Sequence, residues 1–212
     1  MKAVLPQPVP SFITSLALYL EHLCSTQYDY SPEVLQKFQE EPTHISLEMW
    51  VYHLFVVSQS NSVCPVLACC LLEYIRLTNP SLPICSLNVR RLFLVALMVI
   101  CKTTEDVTFR NEGWVVIGMR AFSLHTLNSM EADLLNHLQF RVQPRLHLLL
   151  QFLTALMTHF PCTLPDDLAC FSAFLGHPLL YSPSASELTL DQLTDSFHKS
   201  EAETCEDVDA VA

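Results

Sequence analysis

Lys102 and Glu131 are the two polar residues whose positions most need a chemical explanation. Each stands where an apolar helical stripe meets its boundary, and 29 residues separate them. A lysine is a flexible cation that can reach unpaired backbone carbonyls, and a carboxylate accepts from backbone N–H groups. Spacing alone leaves two arrangements open. The pair forms an internal Lys–Glu bridge, or both side chains point outward at another protein's backbone and polar groups. Catalytic signals are missing beside them. Three glycines cannot build a phosphate-cradling loop, and no G-x-S-x-G, H-E-x-x-H or D-x-D-x-D-G pattern occurs. The adjacent acids Glu105–Asp106 and Asp166–Asp167 lie at helix ends, and neighbours in sequence diverge around a helix rather than converge. His137 and His147 read as surface or capping side chains. The chain is therefore expected to be no enzyme, with no cofactor and no small-molecule ligand.

The elements that must position Lys102 and Glu131 follow from hydrophobic periodicity. Residues 88–103 hold ten consecutive apolar side chains, Leu92 to Cys101. That is too few to cross a bilayer and suits a helix buried on nearly all sides. Asn88 stands at its cap position, and Lys102 follows at the end where a cation suits the helix dipole. Around it the sequence predicts a first helix at 11–24, capped by Ser11 and built on Phe12, Leu16, Tyr19, Leu20 and Leu23. A helix capped by Thr43 or Ser46 carries Leu47, Trp50, Val51, Leu54 and Phe55, ending at the turn-forming SQSNS of 58–62. Another spans 63–78, with Pro65 near its first turn. After a break at KTTED come a short helix at 111–119 and a longer one opened by Ser123, with Leu124, Leu127, Leu134, Leu135 and Leu138 as its stripe. Pro144 opens a further helix, and a weaker one is expected at 165–175. Alternation typical of strands is absent, so the expected class is all-α.

Composition agrees. Half of the 212 residues are apolar and three are glycine, which favours a helical core over a turn-rich sheet. Of the net charge of −11, residues 183–212 supply eight acids against one lysine. Such a segment cannot bury enough apolar surface to order itself and is expected to be disordered. The acidic balance excludes a nucleic-acid surface, which needs a basic face. Nine cysteines, an odd number without C-x-x-C or a zinc-type His/Cys spacing, point to a reducing compartment and no structural metal. Cys64, Cys69, Cys70 and Cys101 fall inside apolar helical patterns, where a free thiol packs as a small hydrophobe. Three early prolines and the lack of a small-residue cleavage site argue against a secretory leader. No membrane partner is expected, and the expected location is cytoplasm or nucleus.

Read in order, the motifs resemble a cyclin box, and more narrowly the phosphate-signalling (PHO-type) cyclins of fungi, called the P/U class in plants. The residues carrying the resemblance are Ile45-Ser46-Leu47-Glu48-Met49-Trp50-Val51-Tyr52-His53-Leu54, then Glu73-Tyr74-Ile75-Arg76. Asn88-Val89-Arg90-Arg91-Leu92 leads to Lys102, and Asp106 to Asn111-Glu112-Gly113-Trp114. Leu127-Asn128-Ser129-Met130-Glu131 and Phe140-Arg141-Val142 complete it. The resemblance covers about residues 42–143. It implies a five-helix cyclin box at 43–143, preceded by a helix and connector over 1–42. One or two C-terminal helices over 144–182 and the acidic tail over 183–212 would follow.

The resemblance also implies a function: a regulatory subunit that binds and activates a cyclin-dependent protein kinase by positioning its C-helix. The family's lysine ending the third box helix and its glutamate in the fifth contact that kinase helix. Here they are Lys102 and Glu131, with apolar support from Leu127, Leu134, Leu135, Leu138 and Phe140. The alternative is a cyclin-fold or other helical scaffold with no kinase partner. The chain departs from the family pattern in places. Where cyclins bury an Arg–Asp pair it has His53 and Ile75, and where a Gly-Gly follows the short helix it has Gly118-Met119. Gln59 stands where some cyclins use a tryptophan to dock substrates, so no docking function is carried over. Ser31-Pro32 and Ser182-Pro183 are possible targets of a proline-directed kinase.

Overall fold

The ten-residue apolar run becomes the middle of a helix, Val89–Thr104, in which every residue from Leu92 to Cys101 is buried. No surface helix could hide a continuous run of that length; neighbours must close on it from all directions. The computed structural model describes residues 10–25, 38–39, 43–79, 82–144, 146–160, 162–166 and 168. These form seven helices and no strand: α1 Pro10–Ser25, α2 Leu47–Ser58, α3 Val63–Thr78, α4 Val89–Thr104, α5 Asn111–Ile117, α6 Leu124–His137 and α7 Leu146–His159. The class is all-α. Five of the helices, α2 to α6, make the bundle around α4, with α1 and α7 added to it. The lead-in before Pro10, most of the 25–42 connector, most of the helix expected at 165–175, Ser31, Ser182 and the acidic tail lie outside the described residues. None of the described helices is long and apolar enough to cross a membrane.

Helix ends follow local chemistry, with some shifts from expectation. Ser46 is the cap of α2, its hydroxyl accepting from Met49 N at 3.1 Å, and Gln59 closes that helix in the left-handed region. Ser123 caps α6 in the same way through Thr126 N. The first helix begins at Pro10 instead of after Ser11, because proline's fixed φ is tolerated in a first turn. Asn88 stands at the start of α4 but turns backward, accepting from Cys85 N at 2.8 Å and donating to Pro83 O at 2.7 Å. It organises the loop rather than capping the helix. At the start of α3 the cap is Asn61, whose Oδ1 accepts from Val63 N and Cys64 N. The helix expected after Pro144 is described from Leu146.

The most extensive packing in the fold is α3 against α4, and α4 also meets α2 and α6. Helix α1 lies on the box itself, against α2, α3 and α7, burying Phe12, Ile13, Leu16, Tyr19, Leu20 and Leu23. One polar contact ties these segments together. Glu73 of α3 is 1% exposed, and its carboxylate accepts from Tyr19 Oη at 2.8 Å and from Arg76 at 3.0 and 2.6 Å. Burial, reinforced by the Glu73 carboxylate, pushes the Tyr19 hydroxyl well above its ordinary pKa, so it remains a donor at any physiological pH. Phe152 of α7 meets the Tyr19 ring edge-on at 4.9 Å. A buried carboxylate is tolerable only while its partners hold.

The two departures from the family pattern are both accommodated. His53 Nε2 bonds Ile117 O at 2.9 Å, linking α2 to the end of α5, while Ile75 is simply buried core. No charge is stranded. At Gly118-Met119, a Cβ on Gly118 would sit 2.5 Å from Phe122 Cζ and 3.0 Å from a Leu94 methyl. Met119 and Arg120 adopt φ of 55° and 57°, which ends α5 at Ile117 rather than 119 and is a conformation glycine would take at lower cost.

Two outcomes are expected from denaturant or thermal melts. Tyr19→Phe leaves Glu73 short of one donor and should cost about 1–3 kcal/mol. Gly118→Ala should cost about 1–3 kcal/mol through overpacking, while Met119→Gly at the adjacent position should be neutral or stabilising. A Gly118→Ala protein as stable as the parent would refute the packing account of that turn.

Candidate functional site

Lys102 occupies the last turn of α4, Asn111 the first turn of α5, and Asn128 and Glu131 one face of α6. Three elements thus converge because α4 ends, the chain turns through 105–110, and α5 hands back to α6 along the same edge. Asn128 and Glu131 are three residues apart and therefore share a helical face. Lys102 Nζ donates to Glu131 Oε1 at 2.5 Å and to Asn111 Oδ1 at 2.5 Å. Asn111 Nδ2 donates to Glu131 Oε2 at 2.8 Å and to Asn128 Oδ1 at 2.7 Å. Both carboxylate oxygens are engaged, and the Asn111 amide clasps cation and anion together.

Of the two arrangements that spacing left open, the chain on its own therefore adopts the bridge. It is not an interior one. The Lys102 and Glu131 side chains keep 28% and 18% of their surface exposed, so the pair lies at the rim. An ammonium has three N–H donors, and the contacts to Glu131 and Asn111 occupy two of them.

The apolar residues assigned to the same face divide into two groups. Leu127, Leu134 and Leu138, named as apolar support for the pair, are sealed in the core. They point inward because α6 needs its stripe to hold onto α4. Leu135, four residues beyond Glu131, is half-buried, and Phe140 is 67% exposed. Phe140 N bonds back to Leu135 O at 2.9 Å, which keeps Phe140 beside the last turn of α6. Two exposed apolar residues that the sequence did not single out complete the rim. Val107 and Phe109 lie in the connection between Lys102 and Asn111 and are 87% and 42% exposed. Asn111 was visible only as part of a motif; its clasping role depends on the third dimension. His137 is the last residue of α6, its Nδ1 at 2.8 Å from Asn79 Nδ2.

A second convergence was not expected at all. Cys64 at the start of α3 and Cys101 at the end of α4 pack in the apolar core as expected, and with Glu105 their ligating atoms also lie within 4.8 Å of one another. Cys69 and Cys70 behave as expected. Both are buried, and burial pushes the Cys70 thiol up to about 12. The described cysteines are all free thiols.

Comparison with known proteins gives these positions a context. The family model described as cyclin, N-terminal domain, matches residues 15–143, beginning inside α1 and ending just beyond Phe140. The chain is 25% identical to Cyclin-U4-3 of Arabidopsis thaliana over 140 residues, 65% of this chain and 63% of that relative. It is 31% identical to Cyclin-P3-1 of Oryza sativa subsp. japonica over 99 residues, 47% of this chain and 41% of the relative. With Cyclin-U4-1 of Arabidopsis thaliana the identity is 30% over 98 residues, 46% of this chain and 48% of the relative. The chain thus spans less than two-thirds of the length of each of these relatives.

The rim bridge has a measurable signature. A double-mutant cycle on Lys102→Ala and Glu131→Ala, read by denaturant melts, should give a coupling of about 0.5–1 kcal/mol, as partly exposed pairs do. A coupling of about 3 kcal/mol or more would mean a pair sealed from water.

Proposed function

This chain belongs to the cyclin family, and from that premise we propose that it is a regulatory subunit that binds and activates a cyclin-dependent protein kinase. The observation that carries the reading is the rim itself. A clasped Lys102–Glu131 pair, partly open to solvent, is flanked by exposed Val107, Phe109 and Phe140 and half-buried Leu135. Val107 and Phe140 keep most of their surface in solvent, and exposed apolar groups around a polar centre suit a protein partner.

The mechanism we infer is mechanical. A protein kinase transfers phosphate only when its strand lysine pairs with the glutamate of its C-helix. A rigid surface that holds that helix inward switches on a reaction it does not perform. Lys102 would offer its remaining N–H to a carbonyl at the end of the kinase helix, and Glu131 would accept from backbone N–H groups there. Both side chains are pre-positioned by Asn111 and Asn128, so little side-chain entropy is lost on docking. Shifting a kinase from about 1% to 99% active requires about 5.5 kcal/mol of preferential binding. Two polar contacts cannot supply that. An interface on the order of 2,000 Å² with apolar anchors can; Phe140, Phe109 and Val107 are the anchors offered. Cytoplasm or nucleus is the location this role requires.

Affinity purification from the source cells should recover a protein kinase as the main stoichiometric partner. Recovery of none would favour a scaffold of the same fold. Replacing both Lys102 and Glu131 by alanine strands no charge, so the melting temperature should move by only about 2–4 °C, as 1 kcal/mol does in a chain of this size. Kinase binding should fall by more than about tenfold. Phe140→Ala should weaken binding by about fivefold or more, as loss of an exposed aromatic anchor does, without changing the melt. A double variant that unfolds, or that binds the kinase as the parent does, would overturn the assignment of the rim.

A further inference from the structure

A different face of α4's last turns holds a set of groups that the kinase reading does not use. Cys64 opens α3 and Cys101 ends the apolar run of α4; both are buried. Glu105 is the residue at which α4 stops. Cys64 Sγ lies 3.5 Å from Glu105 Oε1 and 3.5 Å from Thr104 Oγ1, and the three ligating atoms lie within 4.8 Å of one another. The Glu105 carboxylate is itself held in place, since its Oε1 accepts from Asn61 N at 3.1 Å. The same Asn61 caps α3 through its side chain. Two thiols and an oriented carboxylate therefore face one point from two helices that are already packed together.

We propose that Cys64, Cys101 and Glu105 form a binding site for one thiophilic divalent cation of the zinc class, with water as the fourth ligand. The donor set decides the class. Two sulfurs and one carboxylate suit zinc or a similar soft-to-borderline ion, whereas magnesium and calcium demand oxygen ligands throughout. The geometry is close to what binding requires. Tetrahedral bonds of about 2.0–2.3 Å place neighbouring ligand atoms about 3.3–3.8 Å apart, and rotamer adjustments of about an ångström close the present spacing. The backbone N–H of Asn61 orients the carboxylate as partners of metal ligands do. On binding, both thiols release their protons to solvent and each sulfur donates an electron pair to the metal, with no redox change. A bound ion joins the first turn of α3 to the last turn of α4. The inference rests on the fold alone and stands whether or not the partner is a kinase.

The test uses the full reduced chain, stripped of metal by chelator and kept free of thiol reductants. Titration with Co²⁺ should give a thiolate-to-metal charge-transfer band that saturates at one equivalent and is bleached by Zn²⁺. Saturating Zn²⁺ should raise the melting temperature by about 5 °C or more. Cys64→Ser and Cys101→Ser should each reduce the band and weaken Zn²⁺ binding by more than about tenfold. Cys24→Ser and Cys162→Ser, outside the cluster, should change neither. Because a buried Cys101→Ser can disturb packing, Glu105→Gln at the helix end is the decisive variant. It should weaken binding by about 10–100-fold while the chain melts as before in chelator. Absence of a saturable one-equivalent band overturns the site. So does a band that survives Cys64→Ser and Cys101→Ser unchanged, or wild-type affinity in Glu105→Gln.

Discussion

Complete enclosure of α4 is the constraint on which the rest of the molecule depends. A helix whose residues from Leu92 to Cys101 are all buried offers no lateral face for polar chemistry, because an unpaired polar group there would cost several kcal/mol. Polar function can appear only where that helix emerges. At the C-terminal end it emerges into two settings at once. Lys102 turns toward α5 and α6 and is clasped at the rim, while Cys101 and Glu105 turn toward the start of α3. A helix advances about 100° per residue, so consecutive side chains necessarily diverge. The two clusters are neighbours in sequence and face different partners for that reason.

The same constraint explains how α6 is divided. Its inner stripe, Leu127, Met130 and Leu134, is spent covering α4. What it presents outward is set by the residues left over: Asn128, Glu131 and, in part, Leu135. Interface residues in such a bundle are therefore those at the margin of the stripe, not those within it. Buried leucines still matter to recognition, but only by fixing the angle at which the margin is displayed.

Much of this was legible in the sequence. The apolar run of α4, the Ser46 and Ser123 caps and the limits of α3 follow from local chemistry that a linear reading captures. So does the all-α class, with few glycines and no alternation. The spacing of Lys102 and Glu131 also marked them correctly as edge residues. What stayed hidden depends on contacts between distant segments. Periodicity assigns Leu127, Leu134 and Leu138 to a stripe without saying whether that stripe faces the bundle or a partner. Glu73 looks like an ordinary surface acid in a helix, and only the arrival of Tyr19 from α1 explains its burial. Asn61, Cys64, Cys101 and Glu105 obey no short motif, because their meeting depends on how α3 packs against α4.

The Tyr19–Glu73 contact also bears on cooperativity. It joins a helix that precedes the box to the second box helix, and through the Phe152 ring it reaches a helix that follows. Segments that share a buried donor, a buried acceptor and an aromatic edge cannot melt one at a time without exposing what the others need. The smallest unit able to fold as a whole is consequently larger than the five-helix bundle. Its flanking helices α1 and α7 are integral walls of the structure, not appendages.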